Sequence, residues 1–375
     1  MKQVKQLRIL LLADASSAHT QKWVTGLISK NINILLFSLR NESDSLRKLA
    51  KESDNLQITS CDKIIVSKAS AFSKSTYLTA LPKLKQNIQD FKPDLVHAHY
   101  ATSYGLLALL SKFRPYLISV WGSDILQFPE RSPLHKVVFK VIVNKAKRVF
   151  SSSKLMAESY NKFSKKNHCE IIPFGIDLNQ FNYSEPNLKA NAIKFCIVKT
   201  MAHTYGIDIA INAFLKLKNL HPQYKLSLHI AGDGPELENY KQLAGTELDE
   251  SIFFHGKIEY ASVPQFIKQN DVFLNLSRSE SFGVSVIEAS ACGRPVIVSN
   301  RGGVPETTVD QKTGFILKDL DVNHCVDAMT NYIEQPNLII KHGLAGRKYV
   351  EDNYNFQQNL ASQINVYEEI LISKK

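Results

Sequence analysis

Short apolar runs of four to eight residues, separated by helix-length segments, pass along the chain in two successive series. In the first, RILLLAD, NILLFSL, DLVHAHY, YLISVWG and RVFSSS read as strands; in the second, KFCIVK, LSLHIAG, SIFFHG, VFLNLS and PVIVSN do. Strands that alternate with helices imply parallel sheets, because neighbouring parallel strands need a crossover long enough to hold a helix. The pattern restarts after IPFGID (172–177), so it predicts an α/β chain of two domains, 1–180 and 190–355. Their boundary is expected near 178–192, where the polar FNYSEPNLKAN reads as a linker. The tail 356–375 reads as a closing helix over Phe356 to Ile372. At 375 residues the chain also exceeds what a single core ordinarily serves.

Within the second series, SRSESFGVSVIEASACGRPVIV (277–298) concentrates the chemistry. VFLNLS ends in a short glycine turn that opens an apolar helix, and open α/β sheets bind ligands at the carboxyl ends of their strands. First-turn amides from Ser281, Phe282, Gly283 and Val284 could hold a diphosphate, with Gly283 letting the backbone come close. Glu280 would face a sugar. Glu288, with seven residues between the two, could accept hydrogen bonds from a ribose diol. Spacing alone fits equally a solvated helix end that carries acidic residues for dipole reasons.

The surroundings favour the ligand. Residues 277–317, closing with GGVPETTVDQKTGFIL, together with AGDGPELENY, SIFFHGKIEY, IPFGID, HTQKW, DLVHAHYATSYG and SVWGSD, resemble the retaining glycosyltransferases of family 4 over most of the chain. The resemblance implies the GT-B architecture: two facing Rossmann-like domains, with a terminal helix that crosses back to the first. It implies transfer of a sugar from a nucleoside diphosphate to an acceptor hydroxyl, with the leaving phosphate oxygen as base. Glu280, Asp124 and Lys199 are then the expected catalytic groups. Glu288, Ser281–Val284, Ser17, Gly256 and Lys257 are expected on the donor, and His19 and Trp121 on the acceptor side. The nucleotide sugar is a co-substrate; no cofactor or metal is expected.

The sequence departs from the family pattern in three places, one of them at two positions. Where the family carries a diphosphate-neutralising arginine and lysine, IVKTMAHTYGIDIAI offers Thr200 and Tyr205, leaving Lys199 as a replacement shifted by one residue. On a strand such a shift reverses the face. SSAH replaces the glycine pair of the first loop, and Trp121 stands where many members have a histidine. A catalytically degenerate GT-B subunit, or another GT-B enzyme such as a sugar-nucleotide epimerase, therefore remains an alternative.

Other single residues have plain structural readings. Asp124 after YLISVWG either caps the following ILQF or meets the reacting sugars. His97 and His99 point to one side of a strand without a third ligand nearby, which suits packing better than a metal. Thr20 could cap the helix TQKWVTGLI.

Charge is uneven. Residues 1–185 hold 27 Lys+Arg against 14 Asp+Glu, so the first part carries all of the net +11. Such a field attracts an anionic membrane surface or a lipid diphosphate; nucleic acid is disfavoured because no recognition module is visible. HKVVFKVIVNKAKR (135–148) reads as a basic amphipathic helix with Lys136, Lys140, Lys147 and Arg148 on one face. Val137, Val138, Val141 and Ile142 lie on another, and packing of that face on the sheet is compatible with lysines meeting headgroups. No apolar run approaches the roughly 20 residues of a membrane span. The first one, in MKQVKQLRILLLADASS, reads as a buried strand rather than an export signal. Five cysteines without a CxxC pair fit a reducing cytoplasm. The expectation is a cytoplasmic enzyme, peripheral at the inner face of the plasma membrane, acting on a saccharide or lipid-linked acceptor.

Overall fold

A computed structural model describes residues 6–61, 73–164 and 169–373. These divide into two compact units, Met1–Pro173 with Gln357–Lys375, and Phe174–Phe356.

The first unit is a seven-stranded parallel sheet. Its strands are β1 (Arg8–Leu12), β2 (Asn33–Ser38), β3 (Leu56–Ser60), β4 (Leu95–His99), β5 (Tyr116–Val120), β6 (Arg148–Ser151) and β7 (Cys169–Ile171), in the order β3-β2-β1-β4-β5-β6-β7. The central strands β1, β4 and β5 are buried along nearly their whole length, as expected for a sheet covered on both faces. That is why they read as continuous apolar runs. The edge strands β3 and β7, LQITS and CEI, carry polar residues and have no such signature in the sequence.

The terminal helix Phe356–Ile372 belongs mainly to this unit. The Tyr367 hydroxyl hydrogen-bonds His97 Nδ1 at 2.6 Å, and Asn359 donates to the Pro173 carbonyl at 3.0 Å. His97 Nε2 bonds Ser119 Oγ at 2.9 Å, so both ring nitrogens are engaged and burial pushes its pKa down to about 3. Among the described residues no group of three His, Cys, Asp or Glu could hold a metal, and His97 is a packed histidine.

The basic helix runs from Pro133 to Lys145, capped by Ser132, and its faces differ from the sequence expectation. Phe139, Ile142 and Val143 fill the core, whereas Leu134, Val137 and Val141 are 70%, 56% and 45% exposed. Lys147 lies beyond the helix end, and Arg148 opens β6, where it pairs with Glu170 at 3.2 Å. A chain that must enter a strand two residues after Ala146 cannot continue the helical face. Lys136 and Lys140 remain on it.

The second unit is a six-stranded parallel sheet of β8 (Ala192–Val198), β9 (Lys225–Ala231), β10 (Ile252–Phe254), β11 (Val272–Asn275), β12 (Val296–Val298) and β13 (Gly314–Ile316), in the order β10-β9-β8-β11-β12-β13. The segment expected to link the domains is packed onto this unit. Phe181 is fully buried, Arg347 donates to its carbonyl at 2.8 Å, and the buried Arg294 donates to the Ser184 carbonyl at 2.6 Å. The division therefore falls at Pro173, before the polar stretch. A polar segment can be fixed when buried guanidinium groups satisfy its carbonyls.

Candidate functional site

In the second sheet the strand order reverses between the neighbours β8 and β11, so the loops that follow them diverge and leave a crevice at their carboxyl ends. Lys199 is the first residue after β8, and Glu280 lies in the loop after β11. Lys199 Nζ and Glu280 Oε1 meet at 2.5 Å, both largely buried. Because β8 has already ended at Val198, the alternation of a strand does not dictate where Lys199 points. The other Glu280 oxygen accepts from Asn275 Nδ2 at 3.0 Å and Ser277 Oγ at 2.8 Å. Burial works against the Glu280 charge, but Lys199 and these two donors outweigh it and hold the carboxyl below its ordinary pKa. Lys199 also lies 5.0 Å from the centre of the Tyr205 ring.

Glycine loops support both charged residues from behind. A β-carbon on Gly232 would overlap the Lys199 carbonyl oxygen, and one on Gly302 would overlap that of Glu280. Both glycines also have positive φ, 143° and 62°.

The helix Val284–Ala291 starts beside this pair, with Gly283 at φ 106° as its N-cap and no side-chain cap. Its first amides are not met by a capping side chain, an arrangement that suits an anion. Phe282 is buried against Phe174 and Tyr354 and fixes the turn, while Ser281 stays half-buried. One turn on, Glu288 is buried and Oε1 accepts the Tyr260 hydroxyl at 3.0 Å. Glu288, expected to face a ribose diol, thus has that oxygen occupied by Tyr260. Gly256 and Lys257 lie in the loop after β10, with Gly256 at φ 64° and Lys257 exposed.

In the first unit the corresponding reversal falls between β1 and β4. A cavity of about 480 Å³ opens there, lined by Ser17, His99, Tyr100, Trp121 and others. Ser17, expected on the donor, belongs to this lining. It is the N-cap of the helix Ala18–Ser29, so Thr20 lies within the first turn rather than capping it. His19 is half-buried and approaches Trp121 edge-on, with ring centres 6.2 Å apart; burial pushes its pKa down to about 3. Trp121 also packs on His99 at 4.5 Å.

Asp124 departs from its expected contact with the reacting sugars. It is fully buried, and its carboxylate accepts the backbone N–H groups of Ala101 (2.8 Å), Trp121 (3.1 Å) and Gly122 (2.9 Å). Those bonds tie the loop after β4 to the loop after β5. A carboxylate enclosed in this way orders the cavity wall and presents no oxygen to solvent.

Two family models account for the two halves. One described as glycosyl transferases group 1 matches residues 179–349, and one described as glycosyl transferase 4-like matches residues 8–153. The chain belongs to the group 1 glycosyltransferases. This glycosyltransferase is 24% identical over 332 residues to the N-acetyl-alpha-D-glucosaminyl L-malate synthase of Bacillus anthracis, covering 83% of the chain and 84% of that protein. It is 29% identical over 206 residues to the GDP-mannose-dependent alpha-(1-6)-phosphatidylinositol monomannoside mannosyltransferase of Mycolicibacterium smegmatis. That alignment spans 50% of the chain and 53% of the mannosyltransferase. In fold it is similar to HepE of Anabaena in complex with UDP and glucose, with a TM-score of 0.76 at 17% identity over 97% of the chain and 100% of HepE. The fold is GT-B.

Several groups in the glycosyltransferase's second unit have no counterpart in the sequence reading. Arg278 pairs with Asp208 through two bonds of 2.8 and 2.6 Å and donates to the His203 carbonyl at 2.6 Å, clasping the loop after β8. Asn275 had a signal: it is the one polar residue in the otherwise apolar run of β11. Tyr260 had none, since an exposed tyrosine in a loop looks like any other.

Proposed function

We propose that the chain is a retaining glycosyltransferase that moves a sugar from a nucleoside diphosphate sugar to the hydroxyl of a lipid-linked saccharide at an anionic membrane surface, in assembly of a surface polysaccharide or glycoconjugate. The observation that carries the donor half is the Lys199–Glu280 pair beside the uncapped start of helix Val284–Ala291. The helix amides and the Lys199 ammonium stabilise the departing diphosphate, an effect of a few kcal/mol per well-placed donor. Glu280, kept ionised, accepts hydrogen bonds from the sugar. The acceptor oxygen bonds to the anomeric carbon on the face from which the diphosphate leaves; the broken bond's electrons go to the phosphate oxygen, which takes the acceptor's proton. Glu288 exchanges Tyr260 for the ribose hydroxyls. With amides and Lys199 carrying the charge, the reaction is proposed to need no metal.

For the acceptor half, the support is the helix Pro133–Lys145. Leu134, Val137 and Val141 form one exposed apolar stripe at i, i+3 and i+7, with Lys140 and then Lys136 along one side of it. Apolar insertion beside lysines that meet anionic headgroups is how a helix lies in a lipid interface, at about 1 kcal/mol per cation. No helix of the described residues is long and apolar enough to cross a membrane. The mannosyltransferase named above acts, by its name, on a phosphatidylinositol-linked sugar, and HepE was crystallised with UDP.

Incubation with a panel of UDP-, GDP- and ADP-sugars, followed by NMR of the product's anomeric proton, tests the reading. Transfer with unchanged anomeric configuration is expected; inversion, or donor binding without turnover, would replace it. The second outcome is that of a degenerate subunit, a reading favoured by the fact that Glu280 already neutralises Lys199.

A further inference from the structure

We propose that the cavity of the first unit selects acceptors that carry an anionic group, phosphate or carboxylate, alongside the hydroxyl that is glycosylated, with Arg131 as the anion-binding residue. This rests on the transferase reading above.

The cavity is built at the carboxyl ends of β1 and β4, and its wall combines charge with rings: Asp14, Arg40, His99, Tyr100, Trp121 and Arg131. The charges do not balance. Asp14 is already engaged, accepting from the Ser16 amide at 2.9 Å and the Ser16 hydroxyl at 2.6 Å, and facing Arg40 Nε at 3.4 Å. The Asp14–Arg40 pair therefore cancels. Among the described residues, the Arg131 guanidinium has neither an ion-pair nor a hydrogen-bond partner, and the one carboxylate behind this wall, Asp124, is enclosed by backbone N–H groups, so Arg131 is the lining cation left to meet a ligand. A guanidinium is a planar fork that fits phosphate or carboxylate through paired N–H donors.

A second group points to a ligand. His99 is only 4% exposed, yet its Nδ1 has no hydrogen-bond partner among the described residues. Buried polar side-chain atoms are ordinarily satisfied, so the ring of His99, which lines the cavity, keeps an unmet nitrogen that a polar ligand reaches once the wall shifts to admit it. Burial, and then the neighbouring His97, keep the His99 imidazole neutral, so it serves a hydroxyl better than a second anion. Tyr100, next in sequence, holds a non-glycine positive φ of 86°, tied by its hydroxyl to Ser123. An acceptor with an anion at Arg131 and its carbon skeleton against Trp121 would place its hydroxyl towards His99.

Quenching of tryptophan fluorescence at physiological salt tests the inference with glucose, glucuronate, glucose 1-phosphate and, for the lipid source, a short-chain prenyl phosphate in detergent. The wild type should bind the charged sugars at least tenfold more tightly than glucose. Arg131→Gln should lose that preference, with its melting temperature unchanged because Arg131 is exposed and unpaired. A prenyl phosphate that binds no better than glucose 1-phosphate would assign the preference to the phosphate itself; stronger binding would assign it to lipid-linked phosphate. Equal affinity of the wild type for charged and neutral sugars, or undiminished preference in Arg131→Gln, overturns the inference. Calorimetric titration of the wild type with nucleoside diphosphates is run separately: no binding there would remove the transferase reading itself.

Discussion

Gly302 lies against the carbonyl oxygen of Glu280, where a β-carbon would overlap it, and Gly303 donates to that same oxygen at 2.9 Å. The loop after β12 thereby sets the height at which Glu280 meets Lys199. Gly302→Ala must move one backbone or the other, and its φ of 62° adds strain. We expect kcat to fall by more than tenfold while the melting temperature falls by only a few degrees. Wild-type turnover in Gly302→Ala would show that the position of Glu280 is not critical.

Lys199→Ala leaves a buried carboxylate with only Asn275 and Ser277. Breaking a buried pair from one side typically costs about 3–5 kcal/mol. Donor turnover should be abolished and stability reduced, whereas Thr200→Arg, on an exposed residue, should be tolerated or activating. Single-turnover assays and urea unfolding separate the two effects; a fully active Lys199→Ala enzyme rules out its part in leaving-group stabilisation.

Glu288→Ala and Tyr260→Phe form a contrasting pair. If Glu288 takes the ribose, its loss should weaken nucleoside diphosphate binding about tenfold or more, whereas Tyr260→Phe removes the competing hydroxyl and should leave binding equal or tighter. Calorimetry reads both, and weakening by Tyr260→Phe alone would give the ribose contact to the tyrosine instead.

The exposed stripe of helix Pro133–Lys145 separates two ways of meeting a membrane. Replacing Leu134, Val137 and Val141 by serine should reduce pelleting with anionic vesicles even at high salt, where the lysine contribution is screened beyond about 8 Å. Replacing Lys136 and Lys140 by glutamine should matter chiefly at low salt. If neither set changes co-sedimentation, the helix is scaffold.

Acid should loosen the first unit through His97. Its pKa is pushed from 6.5 down to about 3, so folding favours the neutral form. That contribution is complete above pH 6.5 and is lost as pH falls towards 3, at up to about 1.4 kcal/mol per pH unit. Urea midpoints from pH 7.5 to 4.5 should fall more steeply for the wild type than for His97→Gln; parallel slopes would mean that other groups govern the acid side.

The parts of this architecture that the sequence made legible are those fixed by burial on both faces of a sheet. β1, β2, β4, β5, β8, β9 and β11 announce themselves as apolar runs, and the SESFG turn lies where such a strand ends. The edge strands β3 and β7 escaped because an edge need not be apolar, and β13 because its apolar run, GFI, is only three residues long. Glu280 and Lys199 could be named but not joined, since 81 residues separate them and only the adjacency of β8 and β11 brings them together. The exposed face of helix Pro133–Lys145 was misread because four valines and isoleucines look alike until the core chooses among them; Phe139 and Ile142 turned Val137 and Val141 outward.

His97 is synthesised before the second unit, yet the hydroxyl that bonds it arrives only afterwards, at residue 367. The first unit thus cannot be finished in the order in which it is made. At about 5–20 residues per second, the nascent chain carries an unsealed seam for roughly ten to forty seconds while the second unit emerges. Apolar side chains beneath the future Phe356–Ile372 helix stay open to wrong partners during that interval.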